Sequence, residues 1–128
     1  MFKKENTILC VCNYGQVRSA TMAIALRERG YLNSFAAGAV AQTYEWLDAA
    51  MAHFDTVIVC NAIELGEVYS HEDFGLTIEE KQSRADLFNI KYKDKVLISP
   101  IGRDVWGAPP NKPELRKLCD DYLDSLGV

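Results

Sequence analysis

Apolar positions along this chain follow two periods, and the switch between them divides it into alternating strands and helices. Thr7 through Cys12 is a continuous apolar run rich in β-forming residues, as expected of a strand covered on both faces of a parallel sheet. From Ser19 the pattern changes to Ala20, Met22, Ala23, Ile24, Ala25 and Leu26, a helical run with Ser19 near its start and Gly30 just past its end. Ser34-Phe35-Ala36-Ala37 reads as a short second strand closed by Gly38. Gln42 to Phe54 then places Tyr44, Leu47, Ala50, Met51 and Phe54 at helical spacing. Asp55 to Asn61 is the clearest strand, and Lys95 to Pro100 is a fourth. Between them, 62–94 reads as helical pieces interrupted near Gly75 and again after Phe88. A last helix begins at Pro113, suited to a first helical position. It puts Leu115, Leu118, Cys119, Tyr122, Leu123 and Leu126 on one stripe.

Strands alternating with helices predict a three-layer α/β fold, a four-stranded parallel sheet with helices on both faces. In such sheets the ligand site lies at the carboxyl ends of the strands. Cys12, Cys60 and the Ile101–Pro110 loop all fall at that edge. No internal repeat or linker divides the chain, so residues 1–128 are expected to form one domain.

Composition narrows the function. At 128 residues and 48% hydrophobic content the chain can bury one sizeable core. Its net charge of −4 argues against nucleic acid, because Lys3-Lys4 and the scattered Lys91, Lys93 and Lys95 make no phosphate-backbone footprint. The longest apolar stretches are strand-length, which points away from a signal peptide or membrane span and towards the cytoplasm. Cysteines stand at 10, 12, 60 and 119 without a Cys-x-x-Cys hook, so free thiols are expected and no metal or other cofactor is implied. The sequence carries no signal for oligomeric state.

The informative chemistry lies in Cys12-Asn13-Tyr14-Gly15-Gln16-Val17-Arg18-Ser19, a Cys-x5-Arg-Ser string at a strand-to-helix junction. Chance produces such a string roughly 0.02 times in a chain of this composition. The plain alternative is a structural strand-end thiol beside a solvated arginine. Successive loop amides can turn inward as an anion nest, and the helix start adds roughly half a positive charge. Arg18 offers a planar fork of donors for two phosphate oxygens. The same positive environment favours a nucleophilic thiolate at Cys12, free thiols titrating near pH 8.5. Ser19 is placed to hydrogen-bond that thiolate.

These features resemble the low-molecular-weight protein tyrosine phosphatase superfamily, which also includes arsenate reductases of the same fold. The resemblance spans nearly the whole chain: the strand entering Cys12-x5-Arg18-Ser19, Phe35-Ala36-Ala37-Gly38, the strand at 55–61, and a late Asp-containing loop before the final helix. It implies phosphocysteine chemistry on a phosphorylated protein or a small phosphate ester. The chain departs from the family pattern at Gly15 (usually Asn), Val17 (usually Cys) and Ala20 (usually Pro). The usual disulfide partner of the nucleophile is thereby absent, leaving Cys10 or Cys60 as substitutes.

A departing phenolate or alkoxide must gain a proton, and a carboxylic acid above the loop is the ordinary solution. Asp104, in Arg103-Asp104-Val105-Trp106-Gly107, resembles the family's Asp-Pro-aromatic loop with Val105 in place of Pro. The bland alternative pairs Asp104 with Arg103; Asp73 and Asp86 are weaker rivals. Trp106 is expected to wall the pocket. Tyr44 and Trp46 lie where the family uses aromatics against an aryl substrate, although Tyr44 also fits the helix core stripe. His53 and His71 have no ligand partner at metal spacing. Cys60 and Cys119 read as core thiols. Three other functions compete with hydrolysis: a sugar-transport phosphocarrier phosphorylated on Cys, an arsenate reductase, and a phosphate-binding module without turnover. Arg18 argues against the carrier, and the lack of nearby relay thiols against arsenate reduction.

Overall fold

The computed structural model describes residues 2–60, 75–103 and 105–128. At its centre lies β1 (Ile8–Cys12), whose five residues are all buried, as a strand covered on both faces requires. Its alternate side chains feed two separate cores. Ile8, Cys10 and Cys12 face one side, with Ile58 and Cys60 of the neighbouring strand region, and Leu9 and Val11 face the other with Val57 and Val59.

Helix α1 (Arg18–Glu28) returns the chain to β2 (Ser34–Gly38), and α2 (Tyr44–His53) carries it across to β3 (Thr56–Val59). After α3 (Ile78–Asp86) comes β4 (Val96–Ile98), followed by α4 (Pro113–Ser125). All pairs are parallel in the order β2-β1-β3-β4. Leaving β1 in one direction and passing back over it to β3 puts α1 and α2 on opposite faces, the consequence of a constant crossover hand. Accordingly α1 and α4 cover the Ile8 side, and α2 and α3 the Leu9 side. The expected three-layer fold with a four-stranded parallel sheet is thus observed, and the order reverses between β1 and β3, at the carboxyl edge that includes Cys12.

Several expected boundaries shift for local reasons. The helix placed from Ser19 starts one residue earlier, at Arg18, because Ser19 turns to Cys12 instead of capping. Helix α2 starts at Tyr44 because the Thr43 hydroxyl accepts from the Trp46 amide. The expected break after Phe88 does not occur there: α3 runs on as a π-helical turn, Leu87–Lys91, that buries Leu87 and Phe88. The segment 61–74, including the end of the strand read at 55–61 and the region around His71 and Asp73, lies outside the described residues. In α4, Leu118 does not join the buried stripe and is 40% exposed. The buried seam is narrower, Leu115, Cys119 and Leu123, at the i, i+4, i+8 positions that face α1. No described helix is long and apolar enough to cross a membrane.

Candidate active site

The loop after β1 is held from beneath by β2. The backbone amides of Ala39 and Val40 donate to the carbonyls of Cys12 and Asn13 at 2.7 and 3.0 Å, extending the sheet past its last paired residues. Two glycines make the approach close. A Cβ on Gly38 would lie 2.5 Å from the Tyr14 carbonyl carbon, and one on Gly15 would lie 2.7 Å from the Ala37 carbonyl carbon. Gly15 also has φ +77°, the left-handed region that glycine enters without cost. Where the resembled family carries Asn, this chain therefore fixes the loop by backbone packing.

That turn aims donors at sulfur. The Gly15 amide donates to Cys12 Sγ at 3.2 Å, and the Ser19 hydroxyl lies 3.1 Å from the same atom. Ser19 is fully buried and Cys12 nearly so. Arg18 opens α1 with its side chain only 2% exposed, and its Nη1 donates to the Gly102 carbonyl at 2.6 Å. Val17 begins the helix without a side-chain cap, and the first turn of α1 contains no acidic residue. No carboxylate of the helix's own therefore competes for its positive end.

Cys12, Tyr14, Gln16, Val17 and Arg18 line a cavity of about 200 Å³ whose far wall is Gly107 and Ala108. The structure thus brings together Cys12, Ser19, Arg18 and the loop between them, with Asn13 buried beneath. Trp106 neighbours that wall, but its partly buried side chain packs against the Ile8-side core, and its carbonyl accepts from Lys112 Nζ. Asp104 lies outside the described residues. Tyr44 is not brought to the cavity: it packs on the Leu9-side core and lines a groove against α3 with Ser83 and Arg84. Trp46 points to solvent, and Asp86 accepts from Gln82 in that same groove region. His53 ends α2 on the surface. Asp55 sits at the opposite edge of the sheet. Hydrogen bonds from the Thr7 amide and hydroxyl hold its carboxyl below the usual range.

The other three cysteines are buried in the same core as Cys12. Burial pushes the Cys119 thiol up to about 12 and also raises the Cys10 and Cys60 thiols, for which neighbouring thiols add to the effect. Two contributions were not legible from sequence: the Gly102 carbonyl on Arg18, and the close packing of the loop on Gly38, which the sequence marked only as the end of a strand. Comparison with protein-family models, curated proteins and solved structures gives no significant match.

Proposed function

We propose that the protein is a cysteine-dependent phosphatase of the low-molecular-weight tyrosine phosphatase type, hydrolysing phosphomonoesters, with phosphotyrosine the expected physiological class. The observation that carries this reading is the thiol of Cys12, held between the Gly15 amide and the Ser19 hydroxyl at the floor of a cavity that Arg18 also lines. The Gly15 amide and Ser19 hydroxyl are placed to hydrogen-bond the sulfur as it attacks and leaves, and the helix start with a guanidinium favours a dianion above it.

The cycle is two displacements. Cys12 Sγ attacks phosphorus, forming the S–P bond as the ester P–O bond breaks, and a carboxylic acid gives its proton to the departing oxygen. The sequence assigns that proton to Asp104. The resulting carboxylate then takes a proton from water, whose oxygen attacks phosphorus and expels the thiolate as phosphate leaves. Ser19 stabilises the sulfur charge as it returns. The scheme uses no metal ion.

Hydrolysis of para-nitrophenyl phosphate, under reducing conditions with chelator present, tests this. Wild type is expected to turn over, and Cys12→Ser to lose activity at least 1000-fold, on the order expected for removing a nucleophile, while still binding inorganic phosphate. Full activity in Cys12→Ser would sink the assignment. Phosphate binding without turnover in wild type would favour the binding module.

A further inference from the structure

We propose that Thr21 is a positioning residue: it clamps the peptide whose amide faces the anion and links it to the loop that walls the cavity. The inference rests on the phosphate-binding reading of the Cys12 loop. Thr21 is fully buried, one turn below the helix start. The Val17 carbonyl accepts twice from it, from its amide at 2.9 Å and from its hydroxyl at 2.6 Å. The first bond belongs to any helix; the second does not. A trans peptide is planar, with carbonyl and amide opposed. Holding the Val17 carbonyl down the helix axis therefore aims the Arg18 amide the other way, towards the cavity.

The hydroxyl has one proton, and its direction is set from outside the helix. Thr21 Oγ1 accepts from the Asn111 amide at 2.8 Å, which commits its proton to the Val17 carbonyl. Asn111 adopts φ +67° and its side-chain oxygen accepts from Arg116 Nη1 at 3.2 Å, fastening the loop to α4. A few residues earlier in that loop, Gly107 and Ala108 form the cavity wall. A continuous hydrogen-bonded path thus joins the wall loop, through the Thr21 hydroxyl, to the peptide beside Arg18. Neither Thr21 nor Asn111 lines the cavity.

Two substitutions separate hydroxyl from packing. Thr21→Val keeps the shape and loses the hydroxyl; Thr21→Ser keeps the hydroxyl and loses the methyl. Calorimetric titration with inorganic phosphate, beside kcat and KM for para-nitrophenyl phosphate, is expected to show phosphate affinity about tenfold weaker in Thr21→Val, the scale of one lost hydrogen bond. KM should rise by a similar factor, and Thr21→Ser should stay within about twofold of wild type. Wild-type affinity in Thr21→Val, or equal impairment in Thr21→Ser, would overturn the proposal. Should Thr21→Val not fold, amide spectra of the wild type decide: inorganic phosphate should shift the Arg18 and Asn111 amide resonances with one common Kd. An Asn111 resonance that stays still while Arg18 moves overturns the coupling. A wild type that neither binds phosphate nor hydrolyses the ester would instead overturn the phosphatase reading, and this inference with it.

Discussion

Four thiols share one core, yet their surroundings give them different chemistry. Cys10, Cys60 and Cys119 sit in apolar packing that penalises a thiolate, and their pKa values are raised accordingly. Cys12 alone among them lines the cavity. Iodoacetamide is therefore expected to modify one thiol per chain up to about pH 9, inorganic phosphate should slow that reaction, and Cys12→Ser should take up none. Intact-mass measurement reads the stoichiometry directly; two or more thiols labelled at similar rates would contradict the separation. The grouping of Cys12 with Arg18 and Ser19 was legible in the sequence because its parts are eight consecutive residues at a strand-to-helix junction. Gly102 was not, because its contribution to Arg18 is one carbonyl brought by the fold from 84 residues away.

Among the elements, the edge strand β2 does more than close the sheet. Its last residue forms the floor on which the loop after β1 rests, with no room for a methyl group at position 38. Gly38→Ala is expected to cost about 2 kcal/mol, since overpacking here meets backbone rather than a yielding side chain. A urea midpoint unchanged from wild type would show that the loop can move away freely. The order of elements was readable from periodicity, and so was the buried character of β1, whose apolar run admits little else. Two details escaped. A π-helical turn has no pattern that distinguishes Leu87–Lys91 from an ordinary helix end. The exposure of Leu118 depends on how wide a seam α1 offers to α4, which no single helix can reveal. Tyr44 fitted two patterns at once, and packing of α2 against α3 decided for the core side.

For the whole molecule, the cavity is assembled from two stretches far apart in sequence: the Cys12–Ser19 junction between β1 and α1, and the later loop that supplies Gly102, Gly107 and Ala108. A ligand that bridges them should stabilise the fold as a unit. Inorganic phosphate at a hundredfold its Kd is expected to add about 2.7 kcal/mol to unfolding, read as a rise in Tm. Cys12→Ser should keep that rise and Arg18→Met should lose most of it; an equal rise in Arg18→Met would place the anion elsewhere. The contact between Arg18 and the Gly102 carbonyl has one more consequence. A free arginine side chain carries about 2 kcal/mol of rotamer entropy, which an anion ordinarily has to quench on arrival. Here the Gly102 carbonyl has already stilled it, so the ordering is completed during folding and not on binding.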